Sequence, residues 1–438
     1  MSEGRAPRIL LCVSGGIAAY KAPELVRALK AAGCEVQVVL TESARAFVAE
    51  LALATVSGRP VRSRLLDVAE EGRVGHIELA DWPDLVIVAP ATADRMARAA
   101  AGLADDLVGC CLLATRAPVL WAPAMNTNMW RHPATQHNLG VLRDRGGRFV
   151  GPDRGELACG WIGEGRMMDP AVIVDAALGV LARQRHGDRW VGRKVLVSAG
   201  PTRTYLDPVR FVANASTGAM GFALAAAAQR LGAEVTLVAG PVDRATPAGV
   251  ERVDVETAEA MHSVMDGILR DTPHDLVAMV AAVGDLAVDA APAKLDKEDL
   301  LAALRDLRWR VGIDVLATLV REHRDRSRFL GFAAQTVDEP AEGDGGSVER
   351  DLVRLGLAKL VAKGADAIFV NRVGVPGLGF GSETNAGALI VRAEGARLAA
   401  PQTSSELEVS VMPSGPPVAK AALAEWILVE LGRAWRSS

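Results

Sequence analysis

The segment Pro123-Ala124-Met125-Asn126-Thr127-Asn128-Met129-Trp130 sets a polar amide between two thioethers and closes on an indole. Such a mixture suits the wall of a flat aromatic cofactor: Asn126 can fix a carboxylate by hydrogen bonds while Met and Trp exclude water. A buried turn packing Met and Trp into a core would use the same residues. Three further segments have related chemistry: Ser14-Gly15-Gly16, Thr41-Glu42-Ser43 and Ala89-Pro90-Ala91-Thr92. Their small residues and hydroxyls let backbone N–H groups approach a phosphate, although plain glycine turns would look alike. Ser14-Gly15-Gly16-Ile17-Ala18-Ala19 lacks the third glycine of a dinucleotide fingerprint, so a mononucleotide fits better than NAD.

The second half has its own polar constellation. Gly200-Pro201-Thr202-Arg203, Asp207-Pro208-Val209-Arg210-Phe211 and Asn214-Ala215-Ser216-Thr217-Gly218 precede an Ala-rich helical stretch. A helix N-terminus, hydroxyls and a nearby arginine can bind phosphate or carboxylate. Lys359 and Lys363 are four residues apart and share one helix face, which is also the pattern of a solvated basic surface. Cys12, Cys34, Cys110, Cys111 and Cys159 show no metal-type spacing, and their odd number suits a reducing compartment. Seven scattered histidines add no ligand pattern, so no structural metal is expected.

These segments must be carried by regular elements, and the chain supplies them twice. Arg8–Val13 reads as a strand, an apolar helical pattern follows through Leu29 to a stop at Gly33, and Glu35–Leu40 reads as the next strand. Lys194–Ser198, a helix from about Gly218 to Leu231 stopped at Gly232, and Glu234–Ala239 repeat the plan. A further β run begins Asp-Leu-Val at Asp84 and again at Asp275. The alternation predicts two doubly wound α/β domains with mainly parallel sheets. The polar stretch Arg183–Arg189 reads as the linker, giving domains 1–189 and 190–438. A length of 438 residues accommodates two or three cores. The net charge of −4 argues against a chain built to coat nucleic acid. No apolar run approaches the roughly 20 residues of a membrane span, and the N-terminus lacks a signal-peptide stretch. A soluble cytoplasmic protein acting on small molecules, with neither nucleic-acid nor membrane partners, is the expectation.

In the first half, Gly15-Gly16-Ile17-Ala18-Ala19-Tyr20-Lys21, His76-Ile77-Glu78-Leu79, Pro90-Ala91-Thr92-Ala93-Asp94, Pro123-Ala124-Met125-Asn126 and Ala158-Cys159-Gly160 occur in one order. Together they resemble the flavin-dependent cysteine decarboxylases over nearly all of residues 8–182. The resemblance implies a flavoprotein fold that binds FMN through Ser14, Gly15, Thr41 and Thr92, in trimers with the flavin near a subunit boundary. In that chemistry, oxidation of the substrate thiol to a thioaldehyde creates the C=S group that accepts the electrons of decarboxylation. His76 would assist proton movement, Asn126 would hold the substrate carboxylate and Cys159 would protonate the enethiol. Without the resemblance, a lone His before a strand reads as structural and a lone buried Cys as inert. The glycine-rich run Gly151–Gly160 suits a lid over substrate. Trp161 stands where the family more often has an acidic residue.

The second half resembles the phosphopantothenate–cysteine ligases over about residues 192–435. Supporting segments are Ser198–Thr202, Val209-Arg210-Phe211, Ala281-Ala282-Val283, Gly331-Phe332-Ala333-Ala334, Lys359 with Lys363, Asn371, and Gly379-Phe380 with Asn385. The resemblance implies a Rossmann-like ligase domain in which a substrate carboxylate attacks the α-phosphate of CTP. Cysteine's amine then displaces CMP from the acyl-cytidylate. Lys294, Lys359 and Lys363 would serve the triphosphate. Ala281, Ala282 and Val283 would line the nucleotide site, Asp285 would help hold nucleotide and Mg²⁺, and Phe332 would contact the nucleotide. Asn214 and Arg210 would steady the acyl intermediate. Ala219, Asp296, Gln335 and Gly284-Asp285-Leu286 depart from the family pattern, which bears on nucleotide affinity and choice.

The two resemblances imply a fused bifunctional enzyme of coenzyme A biosynthesis. A trimerising first half and a dimerising second half would build a closed homo-oligomer, up to a dodecamer. The alternatives are an active decarboxylase with a weakened ligase, or a non-catalytic regulatory flavoprotein. An NAD-dependent dehydrogenase has the least support.

Overall fold

The computed structural model describes residues 5–65, 75–157, 160–297, 304–305, 307–336, 345–374, 379, 381–393 and 408–435. The chain divides into two compact units, Met1–Gly187 and Asp188–Ser438.

The first unit is built on a five-stranded parallel sheet. Its spatial order is Glu35–Leu40, Arg8–Val13, Leu85–Ala91, Val119–Pro123 and Arg148–Phe149. Leu85–Ala91 is buried at every position, as a central strand covered on both faces must be. One face packs against Leu25, Val26 and Leu29 of the helix Ala22–Ala31, and against Ile173, Ala177 and Val180 of Pro170–His186. The other packs against Met96, Leu107, Val108, Cys111 and Leu139 from three helices. The first helix ends as expected, with Gly33 beyond it at φ +84°. Chain-order numbering of the strands gives 2-1-3-4-5, so the connections diverge between Arg8–Val13 and Leu85–Ala91. At such a switch point the strand ends open a crevice for a ligand. The glycine-rich run after Gly151 folds as an antiparallel hairpin, Asp153–Glu156 with Ile162–Arg166.

The second unit carries an eight-stranded sheet. Its order is Val250–Asp254, Glu234–Ala239, Lys194–Ala199, Leu276–Met279, Arg328–Gln335, Ala367–Arg372, Gly387–Arg392 and Val409–Pro413. The first six are parallel and run 3-2-1-4-5-6, the Rossmann order; the last two are antiparallel. The Ala-rich helix spans Ala219–Arg230 and is followed by Gly232 at φ +98°. Its composition follows from close packing: a Cβ on Gly221 would lie 2.5 Å from Cβ of Ala199 on the first strand. Arg189 donates to the Gly432 carbonyl, and Trp190 Nε1 donates to that of Leu428 at 3.0 Å. These bonds tie the start of this unit to its last helix, Lys420–Ala434.

Candidate active sites

In the first unit, Ser14 sits at the end of the first strand and is 3% exposed. Its Oγ donates to the Pro90 carbonyl at 2.6 Å and accepts from the Thr92 N–H at 3.2 Å. One hydroxyl thus clasps the two loops that part at the switch point. Thr41 and Thr92 cap the helical turns that follow their strands, accepting from the N–H groups of Ala44 and Arg95. Gly15 is required by close approach, since a Cβ there would fall 2.3 Å from Ser43 Oγ.

These residues line a cavity of about 1440 Å³ together with Met125, Asn126 and Met129. The Met-Asn loop borders both the core and the cavity, and Met125 touches both. Met125 and Trp130 pack against the core, while Asn126 and the half-exposed Met129 face the cavity. Asn126 Oδ1 accepts from the Asn128 N–H at 2.8 Å, which orients the amide at the start of the short helix Thr127–Arg131. The hairpin then packs backbone to backbone on this loop. Met125 N–H donates to the Gly165 carbonyl at 2.9 Å, and a Cβ on Gly165, at φ +134°, would lie 2.1 Å from Met125 O. Glu156, Leu157, Gly160 and Gly165 of the hairpin line the same cavity. Cys159 lies outside the described residues. His76 is half-buried on the helix Gly75–Asp81 and is not part of the cavity lining.

Sequence reasoning passed over the ionic rim of this cavity. Arg95, 2% exposed, donates to both carboxylate oxygens of Asp106, which also caps the next helix through Gly109 N–H at 2.7 Å. Arg98 bridges Asp94 and Asp105, and all five residues line the cavity. The Asp94–Arg98 spacing of four was the available signal. The cavity exceeds the usual range of about 300–1,000 Å³ for a single ligand, leaving room for a cofactor and a substrate together. A glycine cradle beside a capped helix start suits a flavin phosphate, so the residues present fit FMN. Three thiols of this unit are kept protonated by burial: Cys12 is pushed well up, Cys34 to about 11 and Cys111 to about 12.

The second unit repeats the clasp. Ser198, fully buried at the end of its first strand, accepts from the N–H groups of Val280 and Ala281, each at 3.1 Å. Thr202 Oγ1 takes the Gly284 N–H at 2.8 Å, and Asn214 Nδ2 donates to the carbonyls of Ala282 and Val283 at 3.2 and 3.1 Å. The loop 281–284 is therefore pinned across the switch point. A cavity of about 600 Å³ opens there, lined by Asn214, Ala281, Ala282, Val283, Asp285, Phe332, Lys359 and Lys363, among others. The N-terminus of Ala219–Arg230 faces it through Gly218, which supplies no side-chain cap. Phe332 is backed by Phe369, ring centroids 5.4 Å apart.

Two expected residues sit elsewhere. Arg210 Nη1 donates to Asp207 Oδ2 at 2.6 Å and to the Leu295 carbonyl at 2.8 Å, and it does not line the cavity. Burial pushes the Asp207 carboxyl upward, but N–H donors from Val209, Leu295 and Arg210 and the guanidinium of Arg210 outweigh it and hold it at about 2. Arg210 thus anchors the segment that carries Lys294, which is itself exposed outside the lining. Lys363 is bonded to Asp314, the cap of the helix Val315–His323. Of the two exposed carboxylates of the lining, Asp314 is taken by Lys363, and Asp285 is enough for an Mg²⁺ that arrives on phosphates and needs one or two protein carboxylates. Lys420, Asn371 and Asn385 also line the cavity. Of these Lys420 left no mark in the sequence, because it is an isolated lysine opening a helix more than 50 residues beyond Lys363.

Fold and sites define a two-unit α/β enzyme with a separate switch-point cavity for a nucleotide-type ligand in each unit. Residues 2–182 match the family model described as Flavoprotein, and residues 190–410 match the DNA/pantothenate metabolism flavoprotein C-terminal domain. The coenzyme A biosynthesis bifunctional protein CoaBC of Escherichia coli (strain K12) is 46% identical over 382 residues, 86% of this chain and 89% of that protein. Its counterpart in Vibrio cholerae serotype O1 is 44% identical, covering 86% and 90%. That of Bacillus subtilis (strain 168) is 40% identical, covering 86% and 88%. The chain belongs to the CoaBC family of bifunctional coenzyme A biosynthesis proteins.

Proposed function

We propose that the second unit joins 4'-phosphopantothenate to cysteine at the expense of CTP, and that the first decarboxylates the product to 4'-phosphopantetheine. The observation that carries this reading is the presence in one chain of two clasped switch-point cavities, within one stretch that aligns with bifunctional relatives.

For ligation, the uncapped N-terminus of Ala219–Arg230 receives phosphate, Asp285 carries the Mg²⁺ that accompanies it, and Phe332 walls the nucleotide. Lys359 and Lys363 offset charge as the carboxylate approaches the α-phosphate. Asn214, held on the 281–284 loop, steadies the acyl-cytidylate until cysteine's amine displaces CMP. Arg210 acts on this site through the Asp207–Leu295 anchor.

For decarboxylation, bound FMN supplies the two-electron acceptance that gives loss of CO₂ an electron sink. Ser14 and Gly15 shape the cradle for its phosphate, while Thr41 and Thr92 start the helical turns beside it. Asn126 presents its Nδ2 donors to the substrate carboxylate, and Met129 excludes water. Cys159 donates the proton that completes the product. His76, absent from the cavity of its own chain, serves the cavity of a neighbouring copy in a homo-oligomer whose flavin lies near a subunit boundary. Localisation in the cytoplasm follows from the metabolic role; among the described residues, no helix is long and apolar enough to cross a membrane.

The test supplies phosphopantothenate, cysteine and Mg²⁺ with either CTP or ATP to the flavin-loaded protein, and follows pyrophosphate and CO₂ separately. Nucleotide-dependent pyrophosphate release followed by CO₂ is expected. Absence of both products would refute the reading.

A further inference from the structure

Lys420 is 9% exposed, opens the helix Lys420–Ala434, and lines the ligation cavity. Its Nζ donates to the Gly379 carbonyl at 3.1 Å, which fixes the ammonium but uses only one of its three N–H bonds. Among the described residues no carboxylate lies within ion-pair distance of it. The other two lysines of the lining differ: Lys363 is neutralised by Asp314, and Lys359 is exposed.

Burial opposes the charge of Lys420, and of the charged groups around it Glu383 attracts the ammonium without reaching ion-pair distance. Arg244 is near enough to repel its ammonium, and Arg244 Nε donates to the Thr217 carbonyl at 2.8 Å. Lys420 is thereby placed beside the N-terminus of Ala219–Arg230, and the two helices pack against each other. Two helix starts and a buried ammonium consequently share one end of the cavity. The antiparallel pairing of Thr384–Asn385 with Val418–Ala419 puts Asn385 opposite Val418, two residues before Lys420, while the Lys420 backbone N–H donates to the Glu383 carbonyl at 3.2 Å. Asn385 is 4% exposed and lines the cavity; its Oδ1 accepts from the Ala386 N–H at 3.0 Å, and its Nδ2 has no partner among the described residues. A largely buried ammonium with N–H bonds to spare and a buried amide with a free donor, both lining one cavity, form a site suited to an anion.

We propose that Lys420, with Asn385 on the wall of the same cavity, binds the β- and γ-phosphates of the nucleotide and takes up the charge of the departing pyrophosphate. This assignment rests on the ligase reading of the second unit. In the first ligation step a carboxylate oxygen bonds to the α-phosphorus. The bond from that phosphorus to the oxygen bridging the β-phosphate breaks, and its electron pair leaves on pyrophosphate. Lys420 keeps its protons throughout and supplies charge where the leaving group gains it.

Calorimetric titration of the full chain with CTP and with CMP, each with Mg²⁺, tests the assignment. Lys420→Met should weaken CTP about 10- to 100-fold, the value of a lost charged hydrogen bond, and CMP less than about 2-fold. Lys420→Arg should recover part of the CTP affinity. An equal loss for both nucleotides, no loss for either, or a change confined to the KM for cysteine would overturn the assignment. If Lys420→Met is unfolded in a thermal scan, Lys420→Gln is read by the same criteria. Wild-type protein that binds no CTP would defeat the ligase reading itself; wild-type binding with an unaffected Lys420→Met would defeat this assignment alone.

Discussion

At the residue scale, both halves depend on a serine at the end of a first strand. Ser14 and Ser198 each use one hydroxyl to hold the loop leaving a neighbouring strand. Ser198→Ala would leave two amide N–H groups without their acceptor in a buried setting, a cost of about 1–3 kcal/mol. A lowered denaturation midpoint and weaker nucleotide binding are expected in urea unfolding and titration. Asn126 makes a separate claim. Asn126→Asp keeps the acceptor that caps Thr127–Arg131 but replaces the donors with a charge that repels a carboxylate. CO₂ release should fall at least about 100-fold, while CTP-dependent pyrophosphate release stays at the wild-type rate. Loss of both activities would show a folding defect instead.

At the element scale, each loop is held in place by another loop. The Met-Asn loop is held by the hairpin, whose Gly165 has no room for a side chain against Met125 O. Gly165→Ala should lower decarboxylation and leave ligation intact in the two-product assay. The Asp207 anchor is electrostatic and therefore depends on pH. Its carboxyl titrates at about 2 in the folded chain and near about 3.9 when unfolded. The folded state is favoured by the depressed value above about pH 4, and that stabilisation is lost as pH falls toward about 2. Asp207→Asn should be less stable than wild type at pH 7, and the difference should shrink below pH 4 in thermal scans. A gap that persists undiminished at low pH would remove the charge from the explanation.

At the scale of the whole molecule, His76 stands apart from the cavity its family role requires. If it serves a neighbouring copy, co-expression of His76→Asn and Asn126→Asp chains should restore decarboxylation that neither variant has alone. Mixed oligomers would contain some cavities with both native residues. No recovery, with mixed oligomers verified by mass, would place His76 and Asn126 in one chain's site. Ligation should be normal in every combination, because the second unit holds its own cavity.

Local patterns were legible because they are written in consecutive residues. Buried strands such as Ile9–Val13, the helix stops at Gly33 and Gly232, and the alternation of elements all follow from apolar periodicity and backbone freedom. The phosphate-type loops were legible too, since each occupies one short segment behind a strand. Assembly was not. Arg210 looked like a substrate contact until Asp207 and Leu295, 85 residues away from it, were seen to claim its guanidinium. Lys420 looked like nothing until the fold brought it, with Asn385, into the lining of the second unit's cavity. The chain by itself determined which elements form and which loops can meet an anion. Only the tertiary structure decided which charges are already neutralised by a partner and which remain for a ligand, because that depends on distances between residues far apart in sequence.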